Sequence, residues 1–261
     1  LHRTMAYCFT RNELNFNYYK RMKKNVVFVV MLFFMFIGCT LHKEQRNEQQ
    51  KEKNNQLKDS LITPPLEQSD SIRKYSKRLK RFYKEVDPSE KVDVWYLPFE
   101  LSERNNLKMI QIISGYGDYR SGRAKGHKHS GIDIIPINQK EGAYVYPAAK
   151  GIVCYINPIA PNKTISIKHI LKDGFIIFTA YTHLNDIYIE VGQEVNANTR
   201  IGKLYTRSEA LKFKGNYDHL HFEVRKRYDD HGCASWLSMS IEELNQYFYE
   251  PFKFLKSHLN K

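Results

Sequence analysis

The sequence predicts a mainly β domain with short flanking helices, preceded by a long stretch that has no reason to fold with it. From about Val92 onward aromatic and β-branched residues are frequent and turn residues punctuate them, which is the composition of short strands. Runs such as TISIKH at 164–169 and HLHFEV at 219–224 alternate in period two, the signature of a half-buried strand. By contrast, Cys39 to Ser71 is made of Lys, Glu, Gln, Asn and Asp with almost nothing apolar. Such a segment cannot offset the entropy of ordering and reads as a polar tether.

In chain order, residues 1–21 read as an upstream extension, with Met22 as the natural start. Residues 22–38 read as a signal peptide: Lys23 and Lys24 precede an apolar run from Val26 to Ile37, too short to span a bilayer, that ends in Gly38-Cys39. Phe36-Ile37-Gly38-Cys39 resembles a bacterial lipobox, which implies lipidation of Cys39 and a membrane anchor in the envelope; Thr40 in place of Asp points to the outer membrane, facing the periplasm. After the 39–71 tether, residues 72–91 predict a basic amphipathic helix and linker. There Ile72, Tyr75, Leu79, Phe82, Tyr83 and Val86 recur at helical spacing between Arg and Lys, and docking against the domain is preferred over a membrane-surface role. The domain proper runs over 92–257. The net charge of +13 suits an anionic neighbour, and export argues against nucleic acid. Cys154 and Cys233 could pair in an oxidising compartment, although Cys154 sits in the apolar run GIVCYI, where a buried free thiol is the simpler reading.

Ten histidines are present, and only combinations of them carry geometric meaning. His129-Ser-Gly-Ile-Asp133 runs into the strand-like IDIIP, so His129 and Asp133 would project to one face with Gly131 between them. His127 competes for the same role without the intervening Gly. In HLHFEV, Leu220, Phe222 and Val224 form an apolar face while His219, His221 and Glu223 share the other. His183 closes the run GFIIFTAYTH on the face of Thr179 and Tyr181, and His169 reads as a packed or supporting residue.

Together these residues resemble the lysostaphin-type and LytM-like peptidoglycan metallopeptidases, peptidase family M23, over about Gly115 to Leu255. The resemblance rests on His129, Gly131 and Asp133, on YTHL, on HLHFEV, and on GAYVYPAAKGIV and VGQEVNANTRIGKL between them. A Ser240-x-x-Glu243 helix cap precedes EPFKFL, which looks like the family's closing segment. It implies an antiparallel β-sheet domain with an open groove, one Zn²⁺ held by His129, Asp133 and His221, and His183 and His219 as the histidines that handle protons. The implied activity is hydrolysis of peptidoglycan cross-links, as a D,D-endopeptidase in envelope remodelling, with glycine bridges as the other bond to consider. The alternative is a non-catalytic LytM-like module that regulates another wall hydrolase, with an envelope partner not identified. One departure stands out: LYTRSEALKFKGNYD replaces the family's glycine-rich loop before HLHFEV and contains only Gly215.

Overall fold

The computed structural model describes residues 69–120, 127–139, 141–237 and 240–259. The expected extension, signal peptide, lipidation site Cys39 and almost all of the tether lie outside the described residues. Gln68–Lys261 forms one compact unit. No helix among the described residues is long and apolar enough to cross a membrane.

The unit opens with helix α1 (Asp70–Leu79), started by Ser69, whose hydroxyl accepts from the Ile72 amide. Its apolar face is narrower than the sequence predicts. Ile72, Ser76 and Leu79 are buried, whereas Tyr75 is 40% exposed. The helix ends at Leu79, a 3₁₀ turn covers Lys80–Phe82, and Tyr83 turns extended to bridge Tyr155. The expected helical stripe through Val86 is therefore corrected: pairing of Tyr83 with the sheet outweighs its helical spacing. α1 is docked as expected, with Ile72 and Leu79 packed among Cys233, Ala234, Leu244, Tyr247 and Phe248.

The strands, in chain order, are β1 (Ile110–Ser114), β2 (Tyr119–Arg120), β3 (His127–Lys128), β4 (Ile132–Pro136), β5 (Tyr144–Val145), β6 (Gly151–Asn157) and β7 (Thr164–Ile170). They continue with β8 (Ile176–Thr182), β9 (Leu184–Ile187), β10 (Glu194–Val195), β11 (Gly202–Leu204), β12 (Leu220–Arg225) and β13 (Phe248–Tyr249). Short helices α2 (Arg207–Leu211), α3 (Ile241–Tyr247) and α4 (Pro251–His258) fill the connections. The main sheet has the order β1-β4-β12-β8-β7-β6-β10, with β13 also on β12, and every pair in it is antiparallel. The predicted mainly antiparallel β-domain with short helices is what the chain forms. At α3, Ser240 and Glu243 make the reciprocal cap that their spacing predicts.

Alternation divides the two faces of the sheet. Ile132, Ile134, Ile165, Ile167, Tyr181, Phe222 and Val224 point into the main core, closed from outside by Trp95, Leu97, Phe99, Phe254 and Leu255. The VDVWYLPFE segment thus packs over the back of the sheet. On the opposite face Cys154, Tyr155, Phe178 and Tyr228 form a smaller cluster. Cys154 and Cys233 are separate, buried, free thiols, and burial pushes the Cys154 thiol up to about 12.

Candidate metal centre

Two central strands set the site. In the β4–β12 register Asp133 lies opposite His221 while Ile132 faces Phe222 and Ile134 faces Leu220. The apolar neighbours go to the core and the polar pair to the other face. Close approach there depends on Gly131: a Cβ on it would sit 2.4 Å from the Phe222 carbonyl oxygen and 3.0 Å from His221 Cε1. His129 does not belong to a strand as the sequence suggests, because β4 begins only at Ile132. It enters from a turn, its amide donating to the Asp118 carbonyl while its own carbonyl accepts from Gly117.

Three donor atoms converge. His129 Nε2 is 3.0 Å from Asp133 Oδ1 and 2.8 Å from His221 Nδ1, which is 3.1 Å from the same carboxylate oxygen. The trio His129, Asp133 and His221 is the cluster of metal-ligand type among the described residues. The edges of this triangle approach the roughly 3.3 Å separation of tetrahedral ligands held at about 2.0 Å from a zinc ion. The far nitrogens are already committed. His129 Nδ1 donates to the Gly115 carbonyl at 2.6 Å, and His221 Nε2 donates to Glu223 Oε1 at 2.9 Å. Each ring is thereby fixed with its lone pair turned inward, the tautomer a metal ligand needs. Two inward lone pairs 2.8 Å apart repel unless a cation or a proton lies between them. The residues present fit a zinc ion.

A supporting layer holds the donors. Ser130 Oγ donates to Glu223 Oε1 at 2.6 Å, and Arg120 donates to Asp133 Oδ2 at 2.5 Å. Asp118 accepts from Ser114 Oγ and from the Gly115 amide, fixing the carbonyl that orients His129. Beyond Glu223, Arg225 is 1% exposed and bonded through one nitrogen to both oxygens of Asp230. Electrostatics follow from these contacts. Burial opposes charge on Asp133, but bonds from His129, His219 and His221 outweigh it and hold the carboxyl far below its usual range. Burial opposes charge on His221 also, yet Asp133 and Glu223 carry its pKa up to about 9. His129 is pushed down, chiefly by burial and despite Asp133, with His221 adding to the effect.

His219 and His183 flank the trio. His219 Nε2 is 3.5 Å from Asp133 Oδ1, and the His183 ring lies 5.0 Å from that of His219 and 6.1 Å from that of His221. Simple alternation would put His183 on the core face with Thr179 and Tyr181. That expectation is corrected: β8 stops at Thr182 and His183 takes φ 71°, a left-handed backbone that carries its ring to the polar face. Burial, with His219 and His221 nearby, lowers its pKa to about 3. His183 Nδ1 lies 3.4 Å from the Pro161 carbonyl and its ring 5.0 Å from Tyr217. Tyr217 is the penultimate residue of the segment that departs from the family pattern, so that segment borders the site.

The remaining histidines have other employment. His127 bonds through Nδ1 to the Leu237 carbonyl and is not part of the donor trio. His169 is fully buried between the Lys150 carbonyl and Thr179 Oγ1, a packed residue. Sequence reasoning missed Arg120, Asp118 and Gly115, and it placed Glu223 on the right face without a role. The alternation of HLHFEV carried the signal for Glu223; nothing local carries one for the others.

Residues 127–232 match the model of peptidase family M23. That segment is therefore a peptidase family M23 domain. Similar solved structures include lysostaphin in solution, at 24% identity over 57% of this chain and 51% of that one, TM-score 0.39. The catalytic domain of lysostaphin from Staphylococcus simulans is similar at 24% identity over 57% of this chain and 95% of that one, TM-score 0.39. A zinc-containing peptidase from Vibrio cholerae is similar at 26% identity over 51% of this chain and 37% of that one, TM-score 0.37. The chain thus spans about half the length of the lysostaphin solved in solution. No curated protein matches it.

Proposed function

We propose that this chain is a zinc-dependent endopeptidase that hydrolyses peptide cross-links in peptidoglycan, as a D,D-endopeptidase in envelope remodelling. The observation that carries the reading is the convergence of His129 Nε2, Asp133 Oδ1 and His221 Nδ1 with both outward nitrogens already bonded. Three protein donors leave a tetrahedral ion one position for water or substrate, the arrangement of a catalytic site and not of a closed structural one. Bound there, zinc would supply Lewis acidity that polarises a carbonyl and acidifies water at neutral pH.

The chain's own groups do the remaining work. His183 turns Nδ1 to the Pro161 carbonyl, which leaves its Nε2 lone pair to take a proton. His219 stands beside Asp133, placed to stabilise developing negative charge or to return a proton to the leaving amine. The two histidines divide these tasks between them. The reading extends to an exported chain anchored through Cys39 in the outer membrane, supported by the apolar run ending in Gly38-Cys39.

The test is to quantify zinc in the purified protein, incubate it with peptidoglycan and resolve the released muropeptides, with a chelated control. Conversion of cross-linked dimers to monomers, lost on chelation, is the expected result. Full zinc content with no bond cut in any wall type would replace this reading with the regulatory module.

A further inference from the structure

α1 lies outside the family segment, yet it forms one wall of a cleft of about 790 Å³ that opens beside the histidine pair. The turn between β6 and β7, with Ile159 and Pro161, lines it too, as does Tyr217. Continuity with the metal centre is direct: the Pro161 carbonyl faces His183 Nδ1, and the Tyr217 ring packs tilted against the same imidazole. An extended peptide advances about 3.3 Å per residue, so a chain with its scissile bond at the donor trio enters this cleft within a few residues.

Its chemistry is one-sided. Arg78 and Arg81 line it, and no Asp or Glu does among the described residues. Arg78 lies on α1 and Arg81 on the 3₁₀ turn that follows it, whereas Arg73 on α1 is paired with Asp70 at 2.8 Å. Among the described residues no carboxylate pairs with Arg78 or Arg81, and the Arg81 guanidinium lies over the Phe82 ring at 4.6 Å. Tyr75 and Ile159, 40% and 50% exposed, add apolar area to the lining of the same cleft. Two unpaired guanidiniums beside a partly apolar floor match an acidic peptide, because a guanidinium takes a carboxylate through paired N–H bonds.

We propose that this cleft is a second arm of the substrate groove, in which Arg78 and Arg81 hold free carboxylates of the wall peptide to one side of the scissile bond. The inference rests on the endopeptidase reading, and it makes α1, docked through Ile72 and Leu79, a selectivity element of this chain. Carboxylates would be retained and amidated peptides disfavoured.

The experiment uses the zinc-loaded full chain and its Arg78→Ala/Arg81→Ala variant. Both positions are exposed, so the fold should be retained, and an unchanged melting temperature checks this. Cross-linked muropeptide dimers are supplied with free carboxylates or after chemical amidation. Expected is a rise in KM of about tenfold on the free-carboxylate dimer, the effect of losing two partly exposed ion pairs, and a change under about twofold on the amidated one. Equal losses on both substrates, or no change on either, would overturn the proposal. Binding of the uncleaved monomeric muropeptide, followed by NMR titration, separates this outcome from failure of the endopeptidase reading. If no substrate is cut but the variant binds the monomer more weakly than the parent, the acidic-peptide site stands. Equal binding, or a loss seen only with phosphatidylglycerol vesicles, removes it and returns α1 to a membrane-facing role.

Discussion

At the scale of single residues, the donor trio and its flanking histidines should separate cleanly under mutation. His221→Ala removes a donor, so zinc content and turnover should both be lost. His183→Ala and His219→Ala should keep zinc while kcat falls by about 100-fold or more, the usual weight of positioned proton transfer. Full activity in either variant would take that histidine out of the mechanism. Glu223→Gln leaves the trio intact but weakens the acceptor that fixes His221 Nε2. Its zinc affinity should fall about 10- to 100-fold in a chelator competition, with the fold retained. The trio was legible because its spacing around Gly131 and the alternation of HLHFEV are local patterns. Arg120 and Asp118 were not, since each acts on a partner that loop geometry alone brings near. His183 was recognised for its strand-end position but assigned to the wrong face, because alternation cannot foresee a left-handed residue.

Elements carry the next set of consequences. Gly131→Ala would drive a methyl to 2.4 Å from the Phe222 carbonyl and force β4 away from β12. Loss of about 2 kcal/mol or more is expected, together with weakened zinc binding, because the same contact sets the ligand register. On β7, burial lowers the His169 pKa to about 4. The unfolded chain, with an ordinary value near 6.5, then binds more protons than the folded one between about pH 6.5 and 4. Stability from this group is therefore full above pH 6.5 and is lost as pH falls through the folded value, by about 3 kcal/mol in total. Denaturant titrations across that range should show the slope, and His169→Gln should flatten it. β12, β7 and β8 were legible as alternating runs. The helical stripe from Ile72 to Val86 stops short in the structure, because spacing alone does not show that Tyr83 has a strand partner waiting in β6.

For the whole molecule, bound metal should act as a clamp on a domain whose donors come from a turn, β4 and β12. A ligand that binds only the folded state raises stability by mass action. Chelation should lower the melting temperature by several degrees, and added zinc should restore it; a chelation-insensitive transition would show that the trio holds no metal in solution. The mainly antiparallel architecture was readable from composition and alternation. The layering was not, because it depends on which distant segments cover each face, as when the Trp95–Phe99 stretch and α4 meet behind the sheet.

The pairing of His221 opposite Asp133 has a consequence for how this scaffold could be re-engineered. Two of the donors are set by the backbone register of adjacent strands, so the long segment 205–218 can change length or composition without displacing them. Chemistry and selectivity are thereby modular. A graft replacing residues 205–216 with a short glycine-rich connection, keeping Tyr217 and all that follows, should preserve zinc affinity while changing which peptides are accepted. The uncommon length of that loop is then a substitutable part, and its exchange offers a route to new wall specificities on an unaltered metal site.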